Sequence, residues 1–544
     1  MKTNRIAGTN GHWGRAFVLV LLLAAFSFAQ KLVYEPSFLA REGINLKDCS
    51  TPYCYDRSVQ TDNWIILWQA GFGKDPSTAT GSYKVNMTAL KEVAEKSYAT
   101  YVDSLKMVLK GSSLTDKYKM MIFLLYQTDW AAFGSGQDEK VGTLHVDPAA
   151  ANINTVLAHE IGHCFEYMIG ADVPGSGWRW GFGANGDGGN GFWEQIANWE
   201  AFKVYPAQQF TAGDFGEYIT SNHLHILHET PRYANYFIGD YWTYKRGKDF
   251  MGKLWRATKR PEDPVQTYKR MNVVTQEQFN DEMYEHASRL TTWDLPAIKS
   301  YGANYIDRRA QVKMSKQASG AWLIDPSVTI ENYGYNSIKL NAPANATTVT
   351  VDFEGKTGAS GFRSLNVAKG GWRYGFVALL KDGTRVYSPA ATATMSGTTN
   401  PKGRLEFAVP ANCSKLWLVV SGAPQEHWPH AWDDNNANDE QWPYQVQFGN
   451  TNLLGQTNPP VSSLWPVGRT QAVDLRVHGK TFEVSGDFHT GEILDIRGVR
   501  LRAFGSMSAS TLVSLEGLPK GLLTVRLLDV ASRTTATLPL ANLE

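Results

Sequence analysis

Residues His159 to His163 read HEIGH and constrain the fold more than any other segment of the chain. They lie inside the apolar run TVLAHEIGHCFEYMI, which predicts a buried α-helix. Residues four apart share one face of a helix, so the imidazoles of His159 and His163 can point at the same metal ion. Glu160 stands beside them, where its carboxylate can act as a base. The segment therefore predicts two metal ligands and a base on one helix.

A catalytic zinc ion usually takes three protein ligands, so this helix needs one further donor. The segment HEIGHCFEYMIGADV contains no third histidine, which argues against a metzincin arrangement. Downstream, FWEQIANWEAFKVY has helical character and contains Glu194 and Glu200. We favour Glu194, because Asn198 lies four residues on, where its amide oxygen can accept the second N–H of a ligand histidine. Glu200 stays open as the alternative ligand.

HEIGH followed by Glu194-x-x-x-Asn198 resembles the gluzincin group of zinc metallopeptidases, to which thermolysin belongs. Two departures are that thermolysin has ExxxD at this place and that a Gly-rich stretch lengthens the interval before Glu194. The resemblance implies one catalytic Zn²⁺ bound by His159, His163 and Glu194. It also implies that Glu160 takes a proton from the attacking water and passes it to the leaving amine. The implied activity is a zinc metalloendopeptidase acting on extracellular proteins or glycoproteins.

Peptide hydrolysis of this kind also uses a hydrogen-bond donor to the carbonyl oxygen that becomes negatively charged in the transition state. The segment NHLHILHETPRYANYFIGDYW offers several candidates, of which we favour Tyr236 or His228. A tyrosine-rich helix that packs beneath the site would account for most of this segment without a catalytic role. The other candidates in it are His223, His225, Arg232, Tyr233 and Tyr241.

Charge and the N-terminal pattern narrow the cellular setting. Lys and Arg number 53 against 52 Asp and Glu, so neither a nucleic-acid surface nor disorder is indicated. Basic residues precede the apolar run AFVLVLLLAAFSF, and small residues precede a cleavage position after Ala29. This pattern is typical of a secretory signal peptide over residues 1–29. No later segment is apolar enough for a membrane span, so we expect a secreted or cell-surface protein.

The hydrophobic patterns change along the chain and predict several domains. Residues 30–300 mix helix and strand periodicities, and the segment GTLHVDPA before HEIGH is predicted to be an edge strand that pairs with an extended substrate. Residues 301–454 show short strands and turns typical of a β-sandwich. Residues 455–468 are typical of a linker, and residues 469–544 of a small β-domain. We expect an α+β fold, with a zincin-like metallopeptidase domain, a β-sandwich and a small all-β C-terminal domain.

The final unit resembles the C-terminal sorting domain of the type IX secretion route of Gram-negative bacteria. The segments GEILDIRG and LEGLPKGLLTVRLLD carry this resemblance. The usual basic ending is absent, since the chain stops at LPLANLE. A small β-sandwich without a special role is the alternative.

The cysteines divide into two kinds. Cys49 and Cys54 enclose only STPY and could form a disulfide bond in an oxidising compartment. Cys164 follows His163 directly and points away from the metal face, so we interpret it as a packing thiol. Cys413 is interpreted as structural too.

Two polar segments raise the possibility of Ca²⁺. The segment EHWPHAWDDNNANDEQWPY, residues 426–444, combines histidines, acidic residues and tryptophans, and could bind Ca²⁺ or sugar. Because no spacing matches an EF-hand loop, we favour an ordinary polar loop. The segment ANGDGGNG is interpreted as a flexible turn. The residues of interest in the first segment are His427, His430, Asp433, Asp434 and Asp439.

An alternative function from another class is a non-catalytic carbohydrate- or surface-binding protein on a degenerate zincin scaffold. The 18 tryptophans and the two β-domains favour it, because flat aromatic rings can stack on sugars. A glycan-directed hydrolase is a weaker third hypothesis, since no pair of catalytic carboxylates can be identified. The expected partner is an extracellular protein or glycoprotein substrate, and a glycan is the partner that the alternative function implies. The oligomeric state is left open.

Overall fold

A computed structural model describes residues 30–178 and 189–457 and, further on, residues 474–478, 480–485, 490–495, 499–505, 510–528 and 534–542. The chain divides into two compact units between Thr457 and Asn458. The predicted signal peptide and residues 458–468 of the predicted linker lie outside the described residues. None of the helices in the described ranges is long and apolar enough to cross a membrane.

The first unit begins with a six-stranded sheet. Its strands are β1 (Leu32–Val33), β2 (Ser58–Gln60), β3 (Trp64–Trp68), β4 (Tyr118–Leu124), β5 (Ala132–Gln137) and β6 (Val141–Val146). They lie in the order β2-β3-β4-β6-β5, and β1 pairs with β4. β3, β4 and β6 are parallel, whereas β5 runs antiparallel to β6. The near-continuous apolar sequences of β3 and β4 fit strands that are buried on both faces.

The position of the edge strand differs from the sequence prediction. GTLHV forms most of β6, which lies between β4 and β5 and is therefore an interior strand. The edge is β5, with the sequence AFGSGQ. Its Gly134 and Gly136 lie on one face and interrupt the apolar alternation by which a strand is recognised. The prediction of GTLHVDPA as the edge strand is therefore wrong: the edge is formed by β5, the other strand of the same hairpin.

Helices follow and surround this sheet. The HEIGH helix, α4, has buried residues all round, which is typical of a helix enclosed in a core. α4 packs against α5 and against the sheet, and this arrangement sets the metal site described below. The helices are α1 (Ser37–Arg41), α2 (Met87–Ala99), α3 (Pro148–Ala151), α4 (Asn154–Asp172), α5 (Gly189–Val204), α6 (Gly213–Ser221), α7 (Phe237–Arg246), α8 (Phe250–Arg256), α9 (Pro264–Asn272), α10 (Gln276–Thr291) and α11 (Lys299–Gly302).

Two five-stranded sheets form a β-sandwich after α11. The strands are β7 (Met314–Lys316), β8 (Trp322–Ile324), β9 (Tyr335–Leu340), β10 (Thr347–Gly355), β11 (Gly371–Leu380), β12 (Arg385–Tyr387), β13 (Ala391–Thr394), β14 (Lys402–Val409), β15 (Cys413–Gly422) and β16 (Tyr444–Gly449). One sheet has the order β14-β10-β16-β8-β7. The other has the order β12-β11-β15-β9, with β13 also paired to β11. The fold of the first unit is thus mixed α and β.

The sandwich and the helical region share a hydrophobic core. In β11, Phe376 and Ala378 point into the sandwich, whereas Val377 and Leu379 belong to the core formed with the helices. This explains why every residue of β11 is buried. The two regions therefore form one compact unit, up to residue 457.

The second unit contains two antiparallel sheets around a small apolar core. One sheet has the order β17-β18-β21 and the other the order β20-β19-β22-β23. The likeness to a sorting domain remains a prediction. The strands are β17 (Asp474–His478), β18 (Thr481–Ser485), β19 (Thr490–Leu494), β20 (Arg500–Gly505), β21 (Ser510–Ser514), β22 (Gly521–Leu528) and β23 (Thr534–Asn542).

Cys49 and Cys54 form a disulfide bond, with their Cα atoms 5.1 Å apart. Cys164 and Cys413 are free and buried. Burial raises the pKa of the Cys164 thiol well above its ordinary value, so this residue is a neutral packing group.

Candidate metal centre

Two neighbouring helices bring three metal-binding side chains to one point. His159 and His163 lie one turn apart on α4, and Glu194 lies on α5. Oε2 of Glu194 lies 3.2 Å from Nε2 of His159 and 3.1 Å from Nε2 of His163. One ligand atom from each residue lies within 4.8 Å of the others. Two imidazoles and a carboxylate around one point could hold a metal ion, and His nitrogen and carboxylate oxygen are among the donors that bind zinc.

The second nitrogen of each imidazole is held by a hydrogen bond. Nδ1 of His159 donates to Oδ1 of Asn198 over 2.8 Å, and Nδ1 of His163 donates to Oε2 of Glu166 over 2.7 Å. These bonds place the proton on Nδ1 and leave both Nε2 atoms free to bind a metal. Glu166 was missed by the sequence reasoning. Its position three residues after His163, on the same helix face, was the available signal.

Glu160 lies against the edge strand. Its Oε2 accepts a hydrogen bond from the backbone N–H of Gly134 in β5, over 2.6 Å. The strand approaches so closely because residue 134 has no side chain: a Cβ atom there would lie 1.9 Å from the backbone oxygen of Glu160. The base predicted from the motif and the edge of the sheet are therefore directly connected.

Glu194 and Glu200 have opposite electrostatic surroundings. Burial alone would raise the pKa of Glu194, but the hydrogen bonds and charges of His159 and His163 outweigh it and lower the pKa. Glu200 is fully buried beside Gly162, and neither of its oxygens has a hydrogen-bond partner among the described residues. Burial, and then repulsion from Glu166, raise the pKa of Glu200 well above its usual range. Of the two candidates, the structure places Glu194 with the histidines.

The structure does not place Tyr236 or His228 at this centre. Tyr236 is fully buried, packs against Phe202 and donates its hydroxyl to the backbone oxygen of Gln209. His228 is also fully buried and belongs to a different cluster, with Asp439 and His430. The expected oxyanion role of both residues is therefore corrected. The periodicity of the segment could not show which of its side chains turn toward α4.

Tyr233 is the member of that segment that lies beside the metal ligands. Its ring centroid is 6.0 Å from that of His159, and its side chain is partly exposed. Burial and the nearby Glu194 carboxylate raise its pKa to about 12, so the phenol keeps its proton at neutral pH. A protonated phenol is a hydrogen-bond donor. Tyr233 can thus supply the donor that the sequence assigned to Tyr236 or His228.

The two segments that were considered for Ca²⁺ binding are ANGDGGNG and the loop 426–444. Most of ANGDGGNG lies outside the described residues. In the loop 426–444, His427 pairs with Asp263, and His430 and Asp439 lie in the buried cluster with His228. Asp434 is exposed. The acidic residues of this loop therefore do not converge on one surface site.

Comparison with solved structures gives distant likenesses. A family 22 carbohydrate-binding module of Clostridium thermocellum Xyn10B matches 27% of this chain and 83% of its own, at 13% identity and a TM-score of 0.17. The CBM22-2 xylan-binding domain of Paenibacillus barcinonensis Xyn10C matches 23% and 73%, at 14% identity and a TM-score of 0.15. A β-glucuronidase from Ruminococcus gnavus matches 38% of this chain but only 35% of its own, at 11% identity and a TM-score of 0.16. Scores this low support no structural or functional argument.

No curated protein matches the chain. One family model matches residues 25–455, which include both the helical region and the β-sandwich, and its description is a family of unknown function. This match covers more than half of the 544 residues. The protein therefore belongs to the family of unknown function DUF6055.

Proposed function

We propose that the protein is a secreted zinc metalloendopeptidase of gluzincin type. The observation that carries the proposal is the convergence of His159, His163 and Glu194, with Glu160 beside them. A structural zinc site would have no need of a carboxylate base next to two ligand histidines, whereas hydrolysis requires one. The hydrogen bonds of Asn198 and Glu166 to the two imidazoles support a preorganised centre.

Each residue of the first centre would have a separate role in peptide hydrolysis. A zinc ion on His159, His163 and Glu194 would supply Lewis acidity toward a water molecule and the scissile carbonyl group. Glu160 would accept a proton from water and deliver it to the leaving amine. The Tyr233 phenol would donate a hydrogen bond to the carbonyl oxygen as negative charge develops on it.

The edge strand offers a place for the substrate backbone. β5 pairs with β6 on one side, and no other described strand pairs with its other side. An extended peptide can add to such an edge through main-chain hydrogen bonds. The N–H of Gly134 on this strand already reaches Glu160, so a peptide aligned along β5 would pass the base.

The test combines metal analysis with peptidase assays on the full chain. We expect one zinc ion at this centre in both the wild type and Glu160→Gln, with cleavage of unfolded casein by the wild type alone. Glu160→Gln keeps the shape of the side chain and removes its basicity. Absence of zinc from this centre in folded wild-type protein would rule the proposal out, as would equal cleavage by the two proteins.

Carbohydrate binding without catalysis is the second candidate function. The solved structures named above are two carbohydrate-binding modules and a glucuronidase, and no peptidase is among those three. The 18 tryptophans of the chain and its β-sandwich favour this candidate, because flat aromatic rings can stack on sugars. Binding of the full chain to xylan and other immobilised glycans would distinguish the candidates. Glycan binding by a Glu160→Gln protein, with no peptidase activity in the wild type, would favour the second.

A further inference from the structure

A second group of buried histidines and carboxylates lies away from α4 and α5. His228 and Glu229 belong to the connection between α6 and α7, whereas His430 and Asp439 belong to the loop between β15 and β16. All four residues are at most 4% exposed. The group therefore joins the helical region to the sandwich at a point from which water is largely excluded.

Three of these side chains face a common point. Nε2 of His228 lies 3.5 Å from Oδ2 of Asp439, and Nδ1 of His430 lies 3.6 Å from Oδ1 of the same carboxylate. One ligand atom from each residue lies within 4.8 Å of the others. The two distances end on different oxygens of the Asp439 carboxylate, which therefore lies close to both imidazoles.

The facing atoms lack the partners that buried polar atoms normally have. Within the described residues, no hydrogen bond reaches Nε2 of His228 or Oδ2 of Asp439. Leaving such atoms unsatisfied in a buried site is unfavourable. A cation between them would satisfy both.

The buried carboxylates around this group also favour the binding of a cation. Glu331 and Glu440 add two buried carboxylates to those of Glu229 and Asp439. Arg363 pairs with Glu331, but no lysine or arginine in the described part of the chain forms an ion pair with the other three. Buried charges are normally paired or bind a metal. The excess of negative charge therefore favours a divalent ion.

We propose that His228, His430 and Asp439 bind a second divalent metal ion of the zinc type. Two imidazole nitrogens and one carboxylate oxygen are donors that select zinc and similar transition metals over Ca²⁺, which prefers oxygen ligands alone. The site is separate from the proposed catalytic centre, and it links the loop 426–444 to the segment that carries Tyr233. Its role is structural.

The tautomers of the two histidines define how the ion binds. Nε2 of His430 lies 3.1 Å from Oε2 of Glu229 and donates its proton there, which leaves Nδ1 free for the metal. Nδ1 of His228 accepts the backbone N–H of Thr230 over 3.0 Å, so Nε2 carries the ring proton before metal binding. Binding through Nε2 moves that proton to Nδ1 and breaks the contact with Thr230. Metal binding therefore costs one neutral hydrogen bond. This cost is offset because the ion neutralises charge among the buried carboxylates.

The first test counts zinc in the purified full chain by elemental analysis after dialysis against zinc-free buffer. We expect two zinc ions in the wild type and one in Glu194→Gln, in which the first centre is damaged. Asp439→Asn is expected to hold one ion, and the exposed control Asp434→Asn is expected to hold two. Glu194→Gln protein that folds and retains no zinc would overturn the proposal. This result is independent of whether the first centre is catalytic.

A second test does not depend on whether Asp439→Asn folds. Co²⁺ is added to metal-free Glu194→Gln protein, and its visible absorption is followed to saturation. We expect one equivalent with the strong absorption of a four- or five-coordinate site, and a thermal midpoint raised by the metal. Saturation without such absorption, or no rise in the midpoint, would overturn the proposal.

Discussion

Nδ1 of His159 donates a hydrogen bond to Oδ1 of Asn198 over 2.8 Å. The amide nitrogen of Asn198 in turn donates to the backbone oxygen of Tyr233 over 2.7 Å. One side chain on α5 thus orients a ligand on α4 and holds the chain at the residue that we propose as oxyanion donor. This contact would connect metal binding with the position of the proposed oxyanion donor.

Asn198→Ala should weaken zinc binding at the first centre by about 10- to 100-fold, because His159 loses the acceptor that fixes its ring and its tautomer. Asn198→Asp keeps an acceptor oxygen and should retain most of the affinity. Competition with a chromogenic chelator measures both. Equal affinities of Asn198→Ala and the wild type would show that Asn198 has no part in orienting the ligand.

Glu194→Gln and Glu200→Gln should separate the two carboxylates on α5. Glu194→Gln should lose zinc from the first centre, since an amide is a much poorer ligand than a carboxylate. Glu200→Gln should keep it, because Glu200 is not among the side chains that meet at the first centre, and burial favours its neutral form, which the amide resembles in shape. Zinc occupancy of the folded variants decides between them, and the reverse pattern would contradict the assignment of Glu194.

Tyr233→Phe should lower kcat by about 100-fold while KM and zinc content stay near their wild-type values, because one donor to the oxyanion is removed. Tyr236→Phe is the matched control. It removes the hydrogen bond to Gln209 and should cost about 1 kcal/mol of stability without a comparable loss of kcat. Steady-state kinetics on a peptide substrate measure both variants. A large loss in Tyr236→Phe alone would restore the role that the sequence assigned to it.

Gly134→Ala should lower both stability and activity. The added Cβ would overlap the backbone oxygen of Glu160, so β5 or α4 must move, at a cost of about 1–3 kcal/mol. Gly213→Ala, at the start of α6, is the control, because an added Cβ there meets nothing within 4 Å. Thermal denaturation and the casein assay test the pair. Equal midpoints for the two variants would argue against the close approach of β5 to α4.

His286 should make the protein less stable in acid. Burial, with a contribution from Arg309, lowers the pKa of His286 from 6.5 to about 3. Between these values the unfolded chain binds a proton that the folded chain does not, so stability present above pH 6.5 is lost as the pH falls. From pH 7 to 4.5 the loss is about 2–3 kcal/mol.

His286→Leu removes this titration and fills a similar volume. Its free energy of unfolding should therefore decrease less between pH 7 and 4.5 than that of the wild type, as measured by urea denaturation at both pH values. Identical pH dependence of the two proteins would show that His286 is not held neutral in the fold.

The sequence predicted those features that depend on the spacing of residues within a single helix or strand. His159 and His163 share a face of α4 through helical periodicity alone, and the four-residue spacing of Glu194 and Asn198 works in the same way on α5. The short strands after residue 301 were visible because turn residues separate them. These patterns involve residues that are close in the sequence, so they can be recognised without the tertiary structure.

Other features depend on contacts between distant segments. The placement of β5 at the edge follows from a hairpin whose glycines allow close contact with α4, and no hydrophobic alternation signals it. Tyr233 and Tyr236 are three residues apart in one tyrosine-rich segment, and tertiary packing leaves the first beside His159 and buries the second.

The sequence by itself determined the HEIGH helix and the helical spacing of His159 with His163 and of Glu194 with Asn198, because each pair lies within about one helical turn. The tertiary structure decided which carboxylate faces the histidines, which tyrosine lies beside His159, and that His228 meets His430 and Asp439 although they are far apart in the chain. The physical reason is that side-chain periodicity describes one element at a time. The direction in which two elements present their faces to each other is set by packing of the whole core.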